Sequence, residues 1–72
     1  MADVYLVTAT AGTIIEYWAA WCEEHEAIKL VQEIAPPGRI FALSTKRLSP
    51  QQKTLLRLRP NGLRVRQLYF EP

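Results

Sequence analysis

Cysteine and histidine each occur once in the 72 residues, as Cys22 and His25. A single cysteine excludes an internal disulfide, and the pair falls short of the ligand set that a zinc site within one chain requires. No metal and no cofactor is therefore expected, and no catalytic or cofactor motif of even moderate specificity is present. Long apolar runs are also missing. The longest uncharged stretch, Val4 to Ile15, contains threonines and a glycine and is shorter than the roughly 18 apolar residues a membrane span needs. No basic segment precedes an apolar core as in a secretory leader, so a cytoplasmic protein without membrane partners is expected.

The chain has the composition of an ordinary globule, 49% hydrophobic and 22% charged, which excludes a disordered tail. Residues 1–72 make one domain. At this length folding buries only roughly 60% of the surface of the unfolded chain, and with no disulfide or metal, oligomerisation is the remaining aid to stability. The formal charge of +2 conceals a split. Residues 1–36 carry Asp3, Glu16, Glu23, Glu24, Glu26 and Glu33 against Lys29, a balance of −5. Residues 37–72 carry Arg39, Lys46, Arg47, Lys53, Arg57, Arg59, Arg64 and Arg66 against Glu71, a balance of +7. Such asymmetry points to an electrostatic surface, to self-association, or to pairing between the halves.

Val4–Thr10 is rich in β-branched and aromatic residues and predicts a strand that Ala11-Gly12 ends. Over residues 13–34 a single helix would place Ile14, Trp18, Trp21, Cys22 and His25 opposite Ala27, Leu30, Val31 and Ile34. A strand over Thr13–Trp21 followed by a helix over Cys22–Ile34 removes that conflict and leaves one apolar stripe. Glu23, Glu24 and Glu26 then fall in the first helical turn, where the macrodipole favours carboxylates. Pro36-Pro37-Gly38 stops the helix. Arg39–Thr45 reads as a strand with apolar residues on both faces, which predicts a central place in the sheet.

The segment after residue 48 supports two readings. Ser49-Pro50-Gln51-Gln52 has the form of a capping box with proline at the first helical position, which suits a helix over Pro50–Arg59. Against it, Leu56 and Leu58 alternate with Arg57 and Arg59, and Leu63 and Val65 with Arg64 and Arg66, about an Asn61-Gly62 turn signal. The alternation predicts a hairpin, with at most one helical turn at Ser49–Lys53 before it. An even loop would pair Arg59 with Arg64, Arg57 with Arg66 and Leu55 with Leu68 on one face, and Leu58 with Val65 on the other. The expected architecture is α+β, a small antiparallel sheet of about five strands with one helix packed on one face, in the order β-β-α-β-β-β.

The string Glu16-Tyr-Trp-Ala-Ala-Trp-Cys22 resembles the active-site string of the thioredoxin family, where a strand runs into Cys-x-x-Cys at a helix start. The likeness covers about a tenth of the chain. It implies a nucleophilic thiolate at Cys22 and a monothiol redox protein. His25 stands where that family has its resolving cysteine, and Glu23-Glu24 replaces Gly-Pro, bringing charges that oppose thiolate formation. No Thr-Pro follows later in the chain. Cys22 is otherwise a small buried hydrophobe, or with His25 half of a metal site completed by a second chain. Trp18 and Trp21 are core residues or, where uncovered, interface aromatics.

The functional expectation is a small non-enzymatic binding module that occupies a surface of a partner protein or macromolecular complex. Arg57, Arg59, Arg64, Arg66 and Lys53 are its partner-binding residues, directed at an acidic protein surface. Its size suits a regulator or inhibitor, such as the accessory proteins that phages encode against host or immune complexes. Open strand edges invite a homodimer. The alternative is a nucleic-acid-binding protein that uses the basic C-terminal hairpin, with Tyr69 and Phe70 available for stacking. The acidic first half weighs against it.

Overall fold

Antiparallel pairing of β1 (Asp3–Ala11) with β2 (Ile14–Cys22) forms the centre of the molecule, every residue of one strand facing a residue of the other from Asp3↔Cys22 to Ala11↔Ile14. Gly12 and Thr13 make the two-residue loop, and Gly12 has φ +61°, a conformation glycine enters without steric penalty. The computed structural model describes residues 2–59 and 64–68. After β2 come a 3₁₀ turn (Glu24–Glu26), α1 (Ala27–Ile34), β3 (Ile40–Leu43), α2 (Pro50–Leu56) and β4 (Val65–Leu68). The described strands form one antiparallel sheet in the order β3-β1-β2-β4. The fold is α+β as expected, with four strands and two helices among the described residues in place of five and one. No helix among the described residues is long and apolar enough to cross a membrane.

The two helices lie on opposite faces of the sheet. Alternation along β1 and β2 sends Val7, Ala9, Trp18, Ala20 and Cys22 to one side, where they pack with Ala27 and Val31 of α1 and Val65 of β4. It sends Leu6 and Ala19 to the other, where they pack with Leu58 and, around them, Val4, Trp21, Leu48, Leu56 and Leu68. Ala9, Ala19 and Ala20 are fully buried. Small side chains in the central strands let both layers approach closely.

The hairpin preceding α1 is where the face argument put it, but the helix begins later than expected. Trp21 and Cys22 still pair with Val4 and Asp3, so the chain leaves the sheet only at Glu23 and turns once as 3₁₀ before α1. At the far end the Ala35 amide donates to Val31 O at 2.7 Å before Pro36-Pro37 forbids another turn.

Two expectations are corrected. Among the described residues the strand after α1 is at an edge, pairing with β1 alone, and its apolar side chains are left open, Ile40 being 77% exposed. The segment expected as the first strand of a basic hairpin is α2. Ser49 Oγ accepts from the Gln52 amide at 3.2 Å and Gln52 Oε1 accepts from the Ser49 amide at 2.9 Å, a complete capping box with Pro50 at the first position. The helix ends at Arg57, which has φ 54° and ψ 35°. That reversal puts Leu56, before it, and Leu58, after it, against the same cluster, a contact typical of left-handed helix ends. The Leu-Arg-Leu-Arg alternation is thus the product of a helix terminus. Leu55, expected opposite Leu68, is on α2 and exposed, and Leu58 and Val65 lie on opposite faces of the sheet. The Asn61-Gly62 loop and its even register lie outside the described residues.

Candidate partner-binding surface

The charges of the two halves gather about the two helices, and they meet in a cleft of about 400 Å³ that Asp3 and Glu24 line together with Lys46, Arg47 and Lys53. Glu23, Glu24, Glu26 and Glu33 belong to the segment that folds over the α1 face, while Lys46, Arg47, Lys53, Arg57 and Arg59 flank or belong to α2 on the other. Arg66 of β4 is opposite Ala19 and so shares the α2 face. Among the described residues two ion pairs tie the halves together. Arg39 Nε and Nη2 donate to Glu16 Oε1 and Oε2 at 2.6 and 3.2 Å, and Arg39 Nη1 donates to Pro37 O at 3.1 Å, fixing the chain where it enters β3. This bidentate guanidinium holds the Glu16 carboxyl below its ordinary range. Lys53 Nζ donates to Asp3 Oδ1 at 2.8 Å and ties α2 to the start of β1. With the Val4 amide on the same oxygen at 2.7 Å, Lys53 also keeps Asp3 below its ordinary range.

The five expected partner-binding residues separate into two groups. Lys53 is engaged by Asp3, and Arg64 Nε donates to Trp21 O at 3.3 Å while its own carbonyl accepts from the Trp21 amide at 2.8 Å. Both have structural work. Arg57, Arg59 and Arg66 are exposed and make no ion pair among the described residues. The expected pairing of Arg57 with Arg66 across a hairpin does not occur, since Arg57 caps α2; that of Arg59 with Arg64 spans a loop outside the described residues.

Two of the clefts beside α2 are largely apolar. One of about 380 Å³ is lined by Val4, Trp21 and Leu58 with Asp3, Lys53, Thr54 and Arg57 at its border. The other, of about 320 Å³, has Leu6, Tyr17 and Leu48 as apolar lining and Lys46, Arg47 and Gln52 around it. Each is an apolar recess beside cations. Trp21, half-buried in the first, is the expected interface aromatic that reaches the surface; Trp18 is 6% exposed and belongs to the α1-side core. The indole Nε1 of Trp18 is buried without a hydrogen-bond partner among the described residues.

Lys46, Arg47 and Leu48 were not among the expected site residues. They stand in the loop joining β3 to α2, and the signal for them was the Lys-Arg pair directly before the capping box. Only the packing of that loop beside Leu6 and Tyr17 brings it to the same face as Arg57.

Cys22 closes β2 at 2% exposure, its Sγ directed at the Ala20 carbonyl. Burial pushes the thiol pKa up, Glu26 and Glu23 add to the rise, and Arg64 opposes it. A nucleophilic thiolate needs the reverse environment, with access and a depressed pKa. Among the described residues no three His, Cys, Asp or Glu side chains are placed to hold a metal ion. No family model matches this chain, and no curated protein or solved structure matches it.

Proposed function

We propose that the chain is a non-enzymatic binding module that acts by occupying an acidic surface of a partner protein or complex with its α2 face. The observation that carries this is the pair of apolar recesses beside α2, one bordered by Lys46 and Arg47 and the other by Arg57, with the exposed Arg66 on the same face of the sheet. Arginine suits such a role because its weakly hydrated, planar guanidinium pairs bidentately with carboxylates. The recesses supply what a purely electrostatic surface lacks, an apolar centre inside a charged rim. The test is capture of a stoichiometric partner from the native cell or its host by the wild-type chain, against a variant carrying Arg57→Glu and Arg66→Glu. Capture by wild type and loss by the variant is expected; equal capture by both would remove the α2 face from the reading.

Nucleic acid is the second reading, and one observation favours it: Arg57, Arg59 and Arg66 are exposed and make no ion pair among the described residues, which leaves them available to phosphates. It predicts affinity that falls steeply with salt, the slope lessening by about one for each arginine removed. No binding to DNA or RNA at low salt would eliminate it.

A further inference from the structure

We infer that the edge of β3 left open among the described residues pairs with the same edge of a second copy, antiparallel about a two-fold axis at Ala42, to make one sheet continuous across both copies. This stands apart from the choice between protein and nucleic-acid partners.

The backbone fixes which groups are offered. The Ser44 amide donates to Leu6 O at 2.9 Å, and the β1–β3 register pairs Thr8 with Ala42 and Thr10 with Ile40. In an antiparallel ladder, residues that turn both their N–H and C=O toward one neighbour alternate with residues that turn both away. Ile40, Ala42 and Ser44 therefore face β1, and Phe41 and Leu43 present their amides and carbonyls outward.

The side chains say what that edge accepts. Sheet edges are ordinarily guarded by charge, proline or a bulge. The other edge, β4, carries Arg66 and is preceded by Arg64. β3 reads Ile-Phe-Ala-Leu, with no charge or proline, and Ile40 and Leu43 are among the exposed large hydrophobics. In a two-fold pair, residues opposite one another must share a face. Centring the axis on Ala42 sets Phe41 opposite Leu43 of the second copy twice over, on the α1 face. Each such pair exchanges two main-chain hydrogen bonds, four in all. Centring on Phe41 would instead set Leu43 against Arg39. Pairing β3 with β4 of another copy would lay Arg66 beside this apolar strand and leave an unclosed, growing array. The self-complementary arrangement closes. Arg39 beside the seam is already neutralised by Glu16.

The axis stands perpendicular to the sheet, so both α2 faces lie on one side and the basic surface doubles in extent. Lys46 and Arg47 of the two copies then share that side, and salt should strengthen the dimer by screening them.

Ala42 is exposed and sits on the axis, opposite itself in the non-hydrogen-bonded geometry with Cα atoms about 4.5 Å apart. Ala42→Lys should therefore weaken self-association roughly fivefold or more, and Ala42→Glu likewise, because like charges meet directly. An equimolar mixture of the two should recover a one-to-one heterodimer, which also proves both variants folded. Ala42→Cys should form a disulfide-linked dimer on mild oxidation, the buried Cys22 remaining unreacted. Sedimentation velocity from micromolar to millimolar concentration reads each result. A wild-type chain monomeric throughout, an Ala42→Lys dimer as tight as wild type, or a wild-type dimer whose Ala42→Cys form does not crosslink would each overturn the inference.

Discussion

Arg57 closes α2 in a conformation that suits glycine, and replacing it should move stability and binding in opposite directions. Its φ of 54° and ψ of 35° make it the sole non-glycine residue with positive φ among those described, with its amide on Thr54 O at 3.2 Å. A residue with a Cβ carries roughly 1–2 kcal/mol in this region. Glycine removes that strain and returns roughly 0.5–1 kcal/mol through the greater freedom of its unfolded chain. The net expectation for Arg57→Gly is a gain of about 0.5–1 kcal/mol. For a chain of this size, at about 4–8 °C per kcal/mol, the melting temperature should rise by roughly 2–8 °C. Arg57 is exposed, so no packing is lost with its side chain. Arg57→Ala retains the Cβ and hence the strain, and should stay within about 0.5 kcal/mol of wild type. Thermal unfolding followed by circular dichroism, at one fixed protein concentration because self-association would shift the midpoint, separates the three proteins. Partner capture should weaken in both variants. A melting temperature that is unchanged or lower in Arg57→Gly refutes the strained terminus; capture unaffected by either variant refutes Arg57 as a contact. Stability given up at a binding position is a common pattern.

Removing the cap of α2 by Ser49→Ala should cost about 1 kcal/mol in urea unfolding, with most of it restored by Ser49→Asp, and no loss would mean that the capping box contributes nothing. Leu58→Ala should cost about 2–4 kcal/mol because Leu58 is 5% exposed against Leu6 and Ala19, whereas Leu55→Ala, on the solvent side of α2, should change stability by less than about 0.5 kcal/mol. Equal costs would show that Leu55 is covered as well and would refute this placement of α2. Cys22 supplies a pH test. Its thiol is raised by burial, so above the free-thiol value of about 8.5 the unfolded chain loses a proton that the folded chain keeps. Stability is complete below that pH and falls above it by up to about 1.4 kcal/mol per unit, until the folded thiol ionises. The decline should be absent in Cys22→Ala, and alkylation of the native protein at neutral pH should be slow; a rapid reaction would restore the thioredoxin-like reading.

Local chemistry decided those features of the fold that rest on neighbours in sequence. Gly12 turns the first hairpin, the clash of apolar faces over residues 13–34 divides strand from helix, and Pro36-Pro37 ends α1. Ser49, Pro50 and Gln52 carry a complete cap for α2, and the alternation of Leu56 and Leu58 with Arg57 and Arg59 obscured it. Period two is the mark of a strand only while the backbone stays extended; at a left-handed helix end the same spacing returns two leucines to one side. Because Arg57, Arg59, Arg64 and Arg66 were placed through that alternation, their common hairpin face went with it.

The sequence by itself determined that the chain is α+β, that it divides into an acidic and a basic half, and that its one cysteine excludes an internal disulfide. Tertiary structure alone decided that α1 and α2, one from each half, lie on opposite faces of the sheet. Strand order follows from which edges meet after the chain folds, which no local pattern encodes. It puts the doubly apolar β3 at an edge rather than the centre, sets Arg64 to hold Trp21, commits Lys53 to Asp3, and brings Lys46 and Arg47 to the face of Arg57.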